Sequence, residues 1–343
     1  MHEAKRIFVT GGAGFIGANF VRQALAERSG VEVVNYDLLT YAGNLENLEG
    51  CLENPRHRFV RGDVCDGPAV RSAMEGCDCV VHLAAETHVD RSILDSAPFV
   101  RTNVLGTQAV LDAARACGIA RVIIASTDEV YGALALTPGS ERFTESSPLN
   151  PSSPYAASKA AGDLLAQAQQ RTHGGGIIVT RCTNNFGPYQ FPEKLIPFFI
   201  ARMLRGESAP LYGDGLHVRD WIHVADHCSA LLAILERGRA GRIYNISADN
   251  QRSNLELART LANLLGRDES CLRFVADRPG HDRRYALDAS RLRTEVGWRP
   301  TRSEWPDGLV ETVKWYRDNE EWLARVMDGS YREYVERWYG GRM

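Results

Sequence analysis

At 343 residues the chain has room for one or two domains around a substantial buried core. Apolar residues at 44% and charged residues at 24% exclude a disordered chain, a collagen-like repeat and a coiled coil. A formal charge of −3, a pI near 6.3 and the lack of any basic run interleaved with aromatics argue against nucleic acid as the main partner and favour a small molecule.

Short β-branched runs at 6–10, 31–37, 58–63, 79–85, 121–127 and 176–183 predict strands, with helix-period segments between them. Ile16, Phe20, Val21, Ala24 and Leu25 share one face of the first helix, and 103–116 and 155–169 predict two more. Regular alternation of strand and helix implies an α/β fold with a parallel sheet covered on both faces. Right-handed crossovers make that sheet doubly wound, with its ligand beyond the carboxyl ends of the strands. After 183 the rhythm breaks into Phe186-Gly187-Pro188-Tyr189, Phe191-Pro192 and Tyr212-Gly213-Asp214-Gly215, which predict loops of a smaller mixed α/β region covering the substrate. A helix at 224–236 and a strand at 243–247 return to the sheet. The expected division is therefore a cofactor domain, 1–183 rejoined by 218–247, and a substrate domain, 184–217 with 248–343. The chain is expected to close on an exposed aromatic-rich stretch holding Trp315, Tyr316, Trp322, Tyr331, Tyr334, Trp338 and Tyr339.

Eight cysteines without a repeated C-x-x-C read as free thiols in a reducing cytoplasm. The first strand begins almost at once, with no cleavable signal pattern, and no apolar run approaches the ~18 residues of a membrane span, so neither secretion nor insertion is expected.

Gly12-x-Gly14-x-x-Gly17, with Gly11 before it, follows the first strand and opens the first helix around Phe15 and Ile16. A tight turn, close approach of pyrophosphate to backbone N–H groups and close helix–sheet packing all require glycine there. Asp37 ends the second strand, twenty residues beyond Gly17, where a carboxylate accepts from ribose hydroxyls and repels a 2′-phosphate. No Arg or Lys lies between Leu38 and Gly50 to welcome that phosphate, so NAD is favoured over NADP. Asp63-Val64 and Leu83-Ala84-Ala85, at later strand ends, fall where the rest of the cofactor should lie.

Tyr155 and Lys159 stand at i and i+4 of a helical pattern, and with only four lysines in the chain each lysine is informative. A phenol ionises near pH ~10; an adjacent ammonium and a positively charged nicotinamide are expected to lower that value toward the working range of a base. Thr127-Asp128-Glu129 follows the fifth strand at the cofactor edge. Adjacent carboxylates repel, so one can keep its proton while the other stays ionised, giving an acid and a base in one site.

These residues resemble the extended short-chain dehydrogenase/reductase superfamily and, within it, the dTDP-glucose 4,6-dehydratase family. The resemblance runs over nearly the whole chain, through Gly11–Gly17, 37–45, 82–92, 127–132, Tyr155–Lys159, 184–195, Arg219-Asp220-Trp221 and Asp277-Arg278-Pro279-Gly280-His281-Asp282. Thr87 stands where many relatives carry Ser, and Phe186 where Tyr is frequent. The resemblance implies a Rossmann-like fold, NAD and a lyase reaction on a nucleoside-diphosphate glucose, with dTDP-glucose expected. Tyr155 and Lys159 with Thr127 would oxidise the fourth carbon. Asp128 and Glu129 would then expel water across the fifth and sixth, and the hydride would return to the sixth. It further implies cofactor contacts from Leu38, Thr40, Thr102 and Asn185, and substrate contacts from Thr87, Thr127, Asn184, Lys194, Leu195, Pro210, Tyr212, Arg219, Asn254, Arg278 and His281, the arginines suiting phosphate by their planar fork. His82, His88, His223 and His281 lack metal-ligand spacing, so no metal is expected. Rival readings are an epimerase or decarboxylase of the same superfamily, which the two carboxylates oppose, and a non-catalytic NAD-sensing protein, which the intact Tyr155 and Lys159 oppose. Apolar residues on more than one face of 103–116 and 155–169 suggest a homodimer packed as a four-helix bundle.

Overall fold

The computed structural model describes residues 2–136, 141–278 and 280–327. Its strands are β1 (Arg6–Thr10), β2 (Glu32–Asp37), β3 (His57–Arg61), β4 (Cys79–His82), β5 (Arg121–Thr127), β6 (Ile177–Cys182), β7 (Asn184–Phe186), β8 (Ala209–Tyr212), β9 (Val218–His223), β10 (Ile243–Ile246), β11 (Gln251–Ser253) and β12 (Leu272–Val275). Seven of them form one parallel sheet in the order β10-β6-β5-β4-β1-β2-β3.

The period of two within each strand divides its side chains between two cores. Ile7, Val9, Val33, Val81 and Ile123 point to the face covered by Phe15–Glu27 and Val224–Arg237. Phe8, Val34, Val80, Val122 and Ile124 point to the face covered by Gly67–Met74, Thr107–Ala116 and Pro154–His173. Both faces are thus dry, which is why these strands read as continuous apolar runs. The order reverses between β1 and β4, and the crevice above that switch point is where such sheets bind ligands.

The smaller region has its own core, in which Phe186, Phe199, Ile200, Leu257, Leu261 and Tyr316 are buried together. It is built on a β11-β9-β7 sheet, a parallel β8–β12 pair and the helices Leu195–Leu204, Asn254–Leu264 and Asp307–Asp318. The Val224–Arg237 helix and β10 rejoin the large sheet, whereas β9 pairs with β7 and β11 at the seam.

Three expectations are corrected. Residues 184–217 are more than loops: Ile196, Phe198, Phe199, Ile200 and Met203 are buried on a helix whose apolar residues go all round, leaving no periodic polar face to read. The helix expected at 103–116 begins earlier, as Ala97–Val100, passes through a wide turn at Arg101–Gly106 and continues as Thr107–Ala116. The aromatic tail is not exposed where it is described: Tyr316 is buried and Trp322 only 5% accessible. Trp315 and Trp322 meet Tyr189 edge-on, and Trp322 Nε1 donates to Asn47 Oδ1 across the two regions at 2.9 Å. These rings are the inner face of the last helices and fill the small core. Tyr331, Tyr334, Trp338 and Tyr339 lie outside the described residues.

Candidate active site

One large cavity runs along the carboxyl ends of β1, β2, β4, β5 and β6 to the small region. Its cofactor end is lined by Gly11, Gly14, Phe15, Ile16, Gly17, Asp37, Leu38, Thr40, Asp63, Val64, Leu83, Ala84, Ala85 and Thr102, and by Asn185 further along. The turn that opens it is tight. A Cβ on Gly17 would lie 2.0 Å from Gly11 O, and one on Gly11, at φ +70°, would lie 2.6 Å from Ala84 N. Gly14 caps the Phe15–Glu27 helix with no side-chain bond, so the first N–H groups of that helix face the cavity without a side chain over them.

Asp37 accepts from Ala13 N at 2.9 Å and Leu39 N at 2.8 Å. Each oxygen keeps a second lone pair for a ribose hydroxyl. Burial raises its pKa, against those two N–H bonds. Glycine cradle, open helix end and terminal acid together fit a dinucleotide. His82 is a structural residue: Thr10 Oγ1 and Thr107 Oγ1 lie on its two nitrogens at 2.7 and 3.1 Å, and burial lowers its pKa to about 3.

The reacting groups converge midway. Tyr155, Lys159, Thr127, Asp128 and Glu129 all line the cavity. Thr127 caps the short helix Asp128–Tyr131 by accepting from Glu129 N at 3.3 Å, and its hydroxyl donates to Asp128 Oδ1 at 3.2 Å. Asp128 Oδ2 is buried with no partner among the described residues. Burial drives the Asp128 pKa well up, helped by the charge of Glu129. Burial also raises Glu129, but Arg278, Arg219 and Lys194 pull it back down. Lys159 Nζ donates to Ala125 O at 2.7 Å; burial lowers its pKa to about 8, against the pull of Asp163.

The protein groups around Tyr155 push its phenol the opposite way to the lowering expected from an ammonium and a nicotinamide together. Burial and the charge of Glu129 raise it, and the hydrogen bond with Thr127 offsets this only in part. The ammonium on the same helix does not outweigh desolvation and neighbouring carboxylates. The positive nicotinamide is the remaining source of the field that would favour phenolate.

Of the substrate residues, Thr87, Asn184, Lys194 and Leu195 join Thr127 in the cavity wall, and Lys194 Nζ donates to Thr87 O at 2.7 Å. Pro210, Tyr212, Arg219, Asn254, Arg278 and His281 are not in that wall, although Arg219 and Arg278 are close enough for their charges to act on Glu129. Arg219 lies over the Tyr285 ring and donates to Asp282 O. Pro210 and Tyr212 are on β8, paired with β12, and the Tyr212 and His281 rings meet edge-on. Arg278 donates to Asp90, and Asn254 Oδ1 is buried without a partner among the described residues.

Several residues escaped sequence reasoning. His227, at the start of Val224–Arg237, faces Asn185 Oδ1 through Nδ1 at 2.9 Å and lines the cavity. Glu193 accepts from Tyr41 and Arg91, joining the loops after β2 and β4. His217 and Asp277 gather beside His281, yet the two imidazoles stack 3.7 Å apart and 13° from parallel, so their lone pairs run side by side rather than converge on one ion. Apart from Asp277 and His281, which are four residues apart, these partners lie too far along the chain for spacing to reveal them.

A doubly wound parallel sheet with a glycine turn after β1 and a Tyr155/Lys159 pair on the helix after β5 defines an extended short-chain dehydrogenase/reductase. The family described as GDP-mannose 4,6 dehydratase matches residues 8–305. The chain is 51% identical to the dTDP-glucose 4,6-dehydratase of Streptomyces niveus, over 92% of this chain and 94% of that one, and 53% identical to that of Streptomyces griseus, over 92% and 95%. It belongs to the dTDP-glucose 4,6-dehydratase family. Among solved structures, DesIV, a dTDP-glucose 4,6-dehydratase of Streptomyces venezuelae with NAD bound, superposes with a TM-score of 0.90 at 50% identity over 94% of this chain and 99% of that one. The UDP-glucose 4-epimerase of Thermus thermophilus, also with NAD, gives 0.83 at 31% identity over 92% and 99%.

Proposed function

We propose that this chain converts dTDP-glucose to its 4-keto-6-deoxyglucose product by oxidation, loss of water and re-reduction, with NAD as resident cofactor. The observation that carries this reading is the Asp128–Glu129 pair at the end of β5, in one cavity with Tyr155. An epimerase needs the tyrosine and lysine but has no use for an acid and a base on the side where water leaves.

NAD, when bound, takes hydride from the fourth carbon of the sugar and later gives it to the sixth. Tyr155 removes the proton of the 4-hydroxyl, and Lys159, fixed on Ala125 O, lends positive charge to that phenolate. Thr127 holds the new ketone oxygen, which makes the hydrogen on the fifth carbon acidic. Glu129 takes that hydrogen as a proton, and Asp128, kept protonated by burial beside Glu129, gives its own to the departing 6-hydroxyl; when hydride reaches the sixth carbon, a proton returns to the fifth. Lys194, Arg219 and Arg278 hold the diphosphate; Thr87, Asn184, Leu195, Pro210, Tyr212, Asn254 and His281 complete the substrate site. Residues 1–183 with 218–247 act as the cofactor domain, and 184–217 with 248–343 as the nucleotide-sugar domain.

The chain works as a cytoplasmic homodimer in this reading. Its eight cysteines are all unpaired, as a reducing compartment keeps them. Among the described residues no helix is long and apolar enough to cross a membrane. Val100, Leu105 and Leu164 expose their side chains on neighbouring helices, a face that a second copy would cover.

Substrate carrying deuterium on the fourth carbon tests the chemistry. The label is expected in the methyl group of the product. Label released to water, or retained on the fourth carbon of an epimerised sugar, would overturn the proposal.

A further inference from the structure

Asp90 takes part in none of these steps, yet it is 2% exposed and is met by an arginine and a tyrosine from far along the chain. It lies in the first turn of the helix Val89–Leu94, which follows β4 in the large region. Both of its oxygens reach out of that region. Oδ1 accepts from Arg278 Nη1 at 2.6 Å, and Oδ2 from the Tyr212 hydroxyl at 3.3 Å. Tyr212 ends β8, and Arg278 follows β12, the strand paired with β8. One carboxylate therefore ties the small region to the large one.

The pairing sets the direction of a rigid group. A guanidinium is planar with five N–H donors in a fixed fork, so holding one terminal nitrogen fixes where the rest point. Arg278 Nε is buried with no partner among the described residues, so that donor of the fork is not spent on neighbouring protein groups. Glu129 also lies within the field of Arg278. Without Asp90, a buried cation would need another carboxylate, and the nearby one is the base that must stay free to take a proton.

We propose that Asp90 is a positioning residue for substrate recognition: it aims the Arg278 fork at the diphosphate of the nucleotide sugar and, with Tyr212, fastens the small region over the bound substrate. This rests on the reading of Arg278 as a diphosphate ligand. The test uses the NAD-loaded enzyme and three variants, Asp90→Asn, Arg278→Gln and the double substitution. The readouts are dTDP affinity by calorimetry, competitive inhibition by thymidine, and KM and kcat for dTDP-glucose. Asp90→Asn keeps the shape and removes the charge. It is expected to weaken dTDP binding and raise KM about tenfold or more, with a smaller fall in kcat, as loss of one partner of a buried pair does. Thymidine, which has no phosphate, should inhibit as before. In the Arg278→Gln background the Asp90 effect should shrink to less than about threefold, because the two act as one unit. Undiminished dTDP affinity in Asp90→Asn, with affinity lost in Arg278→Gln, would overturn the role of Asp90 and leave that of Arg278 standing. Equal losses for dTDP and thymidine would show general damage and also overturn it. Unchanged affinity in Arg278→Gln would remove the diphosphate reading, and the proposal with it.

Discussion

Asp128 and Glu129 are neighbours in sequence that stand in different fields. Both are pushed up by burial, but three cations reach Glu129, whereas Asp128 has Arg219 opposed by Glu129 and Asp220. In the proposed reaction the better-supplied residue would be the base, and the other would keep its proton. A raised carboxylate also leaves a mark on stability. Between the ordinary carboxylate pKa and the higher folded value, the native state holds a proton that the unfolded chain has released, so stability falls as pH rises through that window. Asp128→Asn has no such proton to lose. Its stability advantage over the unsubstituted chain is expected to grow with pH across the window and stay flat above it. Urea unfolding at a series of pH values measures this; a pH-independent difference would contradict a raised Asp128.

The turn between β1 and the helix Phe15–Glu27 is an element whose geometry leaves no room for a side chain. With a Cβ on Gly17 meeting Gly11 O and the α-carbon of Gly12, Gly17→Ala must move backbone rather than a flexible neighbour. Such overpacking commonly costs about 1–3 kcal/mol, and it displaces the N–H groups that face the cofactor. Gly17→Ala protein is expected to bind NAD about tenfold more weakly or worse, since about 1.4 kcal/mol lost from binding is tenfold. Calorimetric titration of the cofactor-stripped protein with NAD measures it, and an unchanged Kd would show that the turn can relax. This turn was legible because its determinants are local: strand, glycines, helix and Asp37 fall within one short stretch. The large sheet was legible for the same reason, since strands buried on both faces and helices with one apolar stripe print different periods. The small region was not. Leu195–Leu204 is apolar all round, and Asp90 meets Arg278 across 188 residues of chain. Tyr155 and Lys159 were found, but not the raised phenol, because desolvation depends on what folds over it.

Among the described residues, five of the exposed large apolar side chains gather on adjoining helices. Val100, Leu105 and Leu164 are 50%, 59% and 57% exposed, with Ile93 and Leu94 nearby in the preceding helix at 37% and 43%. They lie on Ala97–Val100, Arg101–Gly106 and Pro154–His173, elements packed against one another. Single exposed leucines are ordinary, but a contiguous patch on adjoining helices marks a contact surface. A face that covers itself by a two-fold axis is isologous, and two helices from each copy then make four. The helix Pro154–His173 carries Tyr155 and Lys159 on its inner side, so pairing would also steady that helix from outside. The protein is therefore expected to sediment at twice its 38.0 kDa chain mass. A Leu105→Asp/Leu164→Asp variant is expected to sediment as a monomer with its helical content retained, because a carboxylate buried without a partner opposes association by several kcal/mol, about the scale of a desolvated unpaired charge. Analytical ultracentrifugation with circular dichroism decides it: a variant that remains dimeric, or an unsubstituted chain that is monomeric at micromolar concentration, would place the contact elsewhere or remove it.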